Sequence, residues 1–217
     1  RPPYGPSSDG RRIHSRGPSM TPSSESIRED IDPRPGRRLH LVGIGGCGMS
    51  GLARMLADRG CIITGSDQVT SPVTTQLLAE GFDLHLGPTN ELPEAVDLLV
   101  ASAAIPGDHP EIEAATGRGI PILSYAEALG RLQANRLSLC ISGTHGKSTT
   151  ASMLCHILLE CGLDPAFIIG ASCDQIGGGS RTGGDVVPCG PHAGEPGILV
   201  SEACEFNRSF HHHRPTL

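Results

Sequence analysis

The stretch Ser142-Gly143-Thr144-His145-Gly146-Lys147-Ser148-Thr149-Thr150 decides how this chain is read. Before it runs Leu137-Ser138-Leu139-Cys140-Ile141, apolar enough for a buried strand. After it, residues 151–161, with Met153, Leu154, Ile157 and Leu158, read as a helix. Strand, glycine turn, Lys-Ser and helix are the setting of a phosphate-binding loop. Glycines let the backbone close on a phosphate because no Cβ stands in the way. The helix that follows points unpaired N–H groups at the anion. Gly143, Thr144, His145, Gly146, Lys147, Ser148 and Thr149 are therefore the candidate phosphate-binding residues. Lys147 would hold the outer phosphates and is the candidate catalytic residue, while the Ser148 hydroxyl would ligate Mg²⁺. Lys147 is also the only lysine among 217 residues. A chain that otherwise uses arginine has its one compact point charge where a phosphate would sit. The loop departs from G-x-x-x-x-G-K-[ST], which wants a glycine at the position of Ile141.

Length gives a prior of one to two domains of about 100–200 residues. Aromatic residues make up 3% of the chain and Trp is absent, so the core must be aliphatic, as suits an α/β fold. The net charge of −6 is uneven. Residues 1–38 carry eight arginines and five acids, and the remainder is strongly acidic. That balance argues against nucleic acid as a partner. The eight cysteines include no C-x-x-C pair, and Cys140, Cys155 and Cys161 lie in apolar runs as core residues would. A reducing, cytoplasmic setting without disulfides is expected. No apolar run reaches the ~18 residues of a membrane span, and no apolar segment opens the chain as a secretory signal would.

Residues 1–36, rich in Pro, Ser, Gly and Arg, read as a disordered tail. From Leu39 onward strands and helices alternate. Strands are expected over 39–44, 61–65, 82–86, 97–101 and 120–123, with helices over 49–58, 73–80, 109–116 and 125–132. Such alternation means βαβ units on a parallel sheet, with the ligand at the carboxyl ends of the strands. The polar segment Gln133-Ala134-Asn135-Arg136 reads as a boundary. The expected organisation is a tail over 1–36, a Rossmann-like domain over 37–135 and an ATP-binding domain over 136–217. In the last, strands are expected over 165–169 and 197–201, separated by a Gly-rich loop region with an edge hairpin. Only about 80 residues follow the boundary, fewer than a usual domain holds, so this unit is expected to be partial.

A second glycine loop lies in the first unit. Gly43-Ile44-Gly45-Gly46-Cys47-Gly48 satisfies G-x-G-x-x-G between a strand and a helix, and Asp67 ends the next strand. This is the pattern of a diphosphate cradle with an acid near a ribose, and it does not separate NAD, FAD and a UDP-sugar. Ser102 ends a third strand at the same sheet edge and could line the same crevice. Glu202 is the first acid after the apolar run 197–201, where a hard cation would find an oxygen ligand. The run His211-His212-His213 is a poor metal site, since consecutive residues on a strand face opposite ways.

The two loops in this order, with Gly65-Ser66-Asp67, Ser102-Ala103-Ala104-Ile105, Pro110-Glu111-Ile112 and Ser201-Glu202-Ala203-Cys204-Glu205-Phe206, resemble the Mur ligase family of bacterial peptidoglycan synthesis. The resemblance covers about residues 39–217. It implies a Rossmann-like parallel-sheet domain that holds UDP-N-acetylmuramate, followed by a P-loop ATPase-type domain, and ATP as the ligand of residues 143–149. Gly45, Gly46 and Gly48 would face the diphosphate, with Ser66, Asp67 and Ser102 nearby. Ser148 and Glu202 would hold magnesium. Where relatives read Glu-Ala-Asp-Glu this chain has Cys204, so no metal role is carried to that position. The implied reaction has two steps. The muramyl carboxylate attacks the γ-phosphate of ATP, and the amine of L-alanine then displaces phosphate from the acyl phosphate. His145 matches the alanine-adding branch and a murein-peptide recycling relative, and is expected to shape the nucleotide site. The family's later adenine and amino-acid contacts have no counterpart before Leu217, so little ligase activity is expected of this stretch alone. The alternatives are the recycling ligase, an NAD-linked oxidoreductase built on Gly43–Gly48, and a non-catalytic nucleotide-binding module.

Overall fold

The structure is a computed structural model that describes residues 33–88, 91–203 and 215–217. The tail read over 1–36 lies outside the described residues except for 33–36, as do Cys204 and the run His211-His212-His213. Two sheets are present. In the first, β1 (Arg38–Val42), β2 (Ile62–Asp67), β3 (Asp83–Leu86), β4 (Leu98–Ala101) and β5 (Ile122–Ser124) are all parallel in the order β3-β2-β1-β4-β5. Helices α1 (Cys47–Asp58), α2 (Pro72–Ala79), α3 (Pro110–Gly117) and α4 (Tyr125–Gln133) connect and follow the strands. In the second sheet β6 (Leu137–Ile141), β9 (Ile198–Glu202) and β7 (Ala166–Ile168) run parallel, and β8 (Ser180–Arg181) lies antiparallel on β7. Helix α5 (Lys147–Glu160) joins β6 to β7.

The patterns that predict these elements are visible in their burial. β4 is Leu-Leu-Val-Ala and buried at every position, as a strand covered on both faces should be. α1 buries Met49, Leu52, Ala53, Met55 and Leu56 along one stripe. Local chemistry sets the helix starts. Ser71 and Ser124 close capping boxes with Thr74 and Glu127, and Pro72 and Pro110 stand at the first helical positions. Where boundaries shift, a backbone reason is present. β5 begins at Ile122 and not at Ile120, because Pro121 has no N–H to donate; its carbonyl instead accepts from Leu99. β1 stops at Val42 because Gly43 turns with φ +79°. The Gly-rich stretch is partly ordered: Asp174–Ile176 forms a 3-10 turn and β8 supplies the edge pairing.

The polar segment that reads as a boundary is partly buried, and one expectation about the cysteines is corrected. Gln133 is 1% exposed, and the Arg136 guanidinium donates to the Gly184 carbonyl at 2.7 Å and to Asp185 at 2.8 Å. Cys161, read as a core residue, is exposed at the end of α5, whereas Cys155 is fully buried and Cys140 half-buried. Burial in an apolar setting pushes the Cys155 thiol up to about 12.

The second unit's turns need glycine at positions where nothing else fits. At Gly183, with φ +59°, a Cβ would lie 2.2 Å from the Ala166 nitrogen. Gly183→Ala is expected to cost about 2 kcal/mol or more from left-handed strain and overpacking. That lowers Tm by roughly 4–8 °C in a chain of this size, measurable by differential scanning calorimetry.

Candidate functional site

The first glycine loop is fixed by the strand beside it. Val42 pairs with Ser66 in the β1–β2 register, so the Ser66 carbonyl accepts from Gly43 N–H at 2.8 Å and Ile44 N–H at 3.1 Å. Gly45 donates to Asp67 Oδ2 at 2.8 Å, and Val69 donates to Asp67 Oδ1 at 3.0 Å. Asp67 thus uses both carboxylate oxygens on backbone amides and closes the loop. A Cβ at Gly45 would strike Asp67 Oδ2 and Thr74 Cγ2, both at 2.8 Å. A Cβ at Gly48 would lie 2.7 Å from Tyr125 Cζ. Gly46 precedes α1, and no side chain caps that helix.

A cleft of about 560 Å³ opens at the carboxyl ends of β1, β2 and β4. Gly43, Gly46, Ser66, Asp67, Ser102 and His109 are among the residues that line it. Of the residues read from sequence for a UDP-sugar, Gly46, Ser66, Asp67 and Ser102 line this cleft, whereas Gly45 and Gly48 serve the packing of the loop.

Beneath the cleft lies a buried polar network that sequence reading did not assign. Glu111, 1% exposed in the first turn of α3, accepts from His40 Nε2 at 2.8 Å and from Ser66 Oγ at 2.6 Å. His40 Nδ1 meets Thr64 Oγ1 at 2.8 Å, and His109 Nδ1 lies 3.7 Å from Glu111. Burial alone pushes the Glu111 carboxyl up, because the charged form loses water. Hydrogen bonds from His40 and Ser66, with the charges of His40 and His109, outweigh burial and leave it below its ordinary value. The sequence held a signal: His40 sits inside the apolar strand Leu39-His40-Leu41, where an imidazole needs a buried partner.

The second loop has a different character. Gly143 (φ +143°) and Gly146 (φ +77°) take conformations that disfavour other residues, and Gly146 leads directly into α5. No side chain caps that helix, so its first N–H groups face outward from the turn. Lys147 is its first residue, and its Nζ folds back onto the Gly143 carbonyl at 2.5 Å. Thr144, His145 and Thr149 are exposed and Ser148 half-buried. Glu202 is brought here by register. It pairs with Ile141, the residue before Ser142, and its Oε1 accepts from Gly170 N–H at 2.8 Å. Lys147 and Ser148 open α5, and Glu202 closes the neighbouring strand at the same sheet edge. An uncapped helix start, an ammonium, a hydroxyl and a carboxylate are a donor set that fits a nucleotide triphosphate with a hard divalent cation.

Fold and site together define an α/β protein with one parallel and one mostly parallel sheet, each with a glycine loop that leads from a strand into a helix. Residues 38–136 match the Mur ligase family, catalytic domain. The chain is 42% identical over 198 residues to a UDP-N-acetylmuramate–L-alanine ligase of Saccharopolyspora erythraea, covering 89% of this chain and 37% of that protein. It is 39% identical over 175 residues to the enzyme of the same name from Clostridium beijerinckii, covering 80% of this chain and 36% of that one. A crystal structure of UDP-N-acetylmuramate:L-alanyl-gamma-D-glutamyl-meso-diaminopimelate ligase from Neisseria meningitides superposes with a TM-score of 0.74 at 31% identity, over 83% of this chain and 58% of that one. Over residues 38–136 the chain is similar to the Mur ligase family, and over most of its length to the two ligases named above. It spans a little over a third of the length of these curated relatives.

A depressed folded-state pKa makes Glu111 a source of stability above its unfolded value of about 4.3, lost as pH falls through the folded value. Wild-type Tm is therefore expected to fall more steeply than that of Glu111→Gln below about pH 4.5. Parallel curves for the two proteins between pH 6 and 3 would show that the carboxylate is not held low.

Proposed function

We propose that this chain is the UDP-sugar-binding and nucleotide-binding part of an ATP-dependent ligase that joins L-alanine to UDP-N-acetylmuramate. The observation that carries this reading is the second loop: the chain's one lysine opens an uncapped helix behind a glycine turn, with Glu202 on the next strand. An oxidoreductase has no use for such a loop. The first domain, 37–135, takes the UDP-sugar in the cleft beside Gly46, Ser66, Asp67 and Ser102, with Gly45 and Gly48 shaping the loop that receives the diphosphate. The second, 136–217, takes ATP on Gly143, Thr144, His145, Gly146, Lys147, Ser148 and Thr149.

Ser148 and Glu202 would hold magnesium, which neutralises phosphate charge as the muramyl carboxylate attacks. Lys147 shields the outer phosphates and aligns them; to do so it exchanges the Gly143 carbonyl for phosphate oxygens. The acyl phosphate forms as ADP leaves, and the amine of alanine then displaces inorganic phosphate from it to form the amide. The partners are small molecules, neither nucleic acid nor a membrane, and the compartment is the cytoplasm. No described helix is long and apolar enough to cross a membrane.

A second reading within the family is a ligase that takes a murein peptide in place of alanine, supported by the likeness to the Neisseria structure.

Thermal stability of the chain with separate ligands tests the proposal. UDP-N-acetylmuramate and Mg-ATP are each expected to raise stability by about 2.7 kcal/mol at a hundredfold excess over Kd, and NAD by nothing. A shift with NAD alone would overturn it. Lys147→Ala is expected to weaken Mg-ATP by about tenfold or more, the scale of a lost charged hydrogen bond, while leaving the UDP-sugar shift intact. An unchanged nucleotide affinity would remove Lys147 from the site.

A further inference from the structure

Helix α4 reaches from the first glycine loop to the strands β6 and β9 that lead to the second. Its first residue, Tyr125, lies so close over Gly48 that a Cβ there would come within 2.8 Å of the tyrosine hydroxyl. Its last residue, Gln133, leaves the first sheet's layer and enters the second sheet. The buried Gln133 amide donates to Ser201 Oγ at 2.8 Å and to Cys140 Sγ at 3.2 Å. Cys140 and Ser201 are themselves a register pair of β6 and β9, and their side chains meet at 3.2 Å. Ser201 precedes Glu202. Cys140 and Ile141 are the last strand residues before the nucleotide loop. One amide therefore clamps two paired strand ends, one residue before Glu202 and three before Gly143.

Between these ends α4 behaves as one body. It buries Ala126, Ala128, Leu129 and Leu132, and its start is locked by the capping box of Ser124 and Glu127. Nine residues rise about 13 Å, enough to join one loop to the other's strands. A close-packed helix passes on a displacement at one end, because interiors have little free volume to absorb it.

We propose that α4 is a strut that couples the first loop to the nucleotide site, with Gln133 as the positioning residue at its far end. A ligand that settles the Gly43–Gly48 loop fixes Tyr125, and Gln133 then fixes the separation of Cys140 and Ser201 and so the placement of Glu202 against Ser148. The proposal rests on the reading that Mg-ATP binds the second loop.

A double-mutant cycle on this chain tests it, with calorimetric titration of a non-hydrolysable Mg-ATP analogue. Gly48→Ala, at the start of α1, pushes on Tyr125 and is expected to weaken the analogue about fivefold. Gln133→Met keeps the volume and removes the amide. It is expected to weaken the analogue by a similar factor and to raise the magnesium concentration needed, with UDP-N-acetylmuramate affinity unchanged. In the Gln133→Met background, Gly48→Ala is expected to cost nothing further. Should Gly48→Ala not fold, Tyr125→Ala, which opens the contact instead of overfilling it, runs the same cycle. An analogue affinity indifferent to the first-loop change, or two effects that simply multiply, would overturn the strut. A Gln133→Met protein that loses UDP-sugar and nucleotide alike would show a structural role only and overturn it too. A wild-type chain that binds no analogue would remove the nucleotide reading itself, and the strut with it.

Discussion

Two parallel strand registers govern this molecule. Val42 stands opposite Ser66, so the first chain segment to leave the sheet turns under the Ser66 carbonyl and becomes the first loop. Ile141 stands opposite Glu202, so an acid arrives beside the second loop from 61 positions further along the chain. Neither placement depends on chemistry between the partners. Parallel strands carry their carboxyl ends to one edge, and ligand crevices open there. A slip of one residue in β9 would turn Glu202 to the opposite face and dissolve the proposed cation site while leaving every residue present.

The loops are built by different economies of contact. The first is braced from all sides, by Ser66, by both oxygens of Asp67, by Thr74 and by Tyr125. Beneath it Glu111 is buried, which would be costly for a carboxylate without partners. His40 and Ser66 meet that need and in doing so hold Ser66 rigid under the loop. Such a site is shaped before its ligand arrives, so little ordering cost is left to binding. The second loop is open, exposed and uncapped, and its lysine rests on its own backbone. It is a site that a ligand must complete.

Much of this was legible in the sequence. The alternation of apolar strands with helix-length patterns located both sheets, and the two glycine motifs located both loops, because glycine and lysine requirements are local and leave a local trace. Strand-end positions were read within a residue or two, with Pro121 and Gly43 accounting for the shifts. What escaped was long-range. The partnership of His40 with Glu111 spans 71 positions and that of Gln133 with Ser201 spans 68. The polar segment 133–136 gave no sign that Gln133 is buried and donates to Ser201, a fact that only the tertiary arrangement supplies. Asp67 sits where an acid was expected, yet its oxygens face backbone amides.

The most direct measurement is a crystal structure of the chain with UDP-N-acetylmuramate and a non-hydrolysable Mg-ATP analogue bound together. Two separate sets of phosphate density are expected. The diphosphate should lie beside Gly46, Ser66 and Ser102, and the triphosphate on residues 143–149, with a cation between Ser148 and Glu202. Nucleotide phosphates on the first loop, with nothing on the second, would contradict the assignment of both sites.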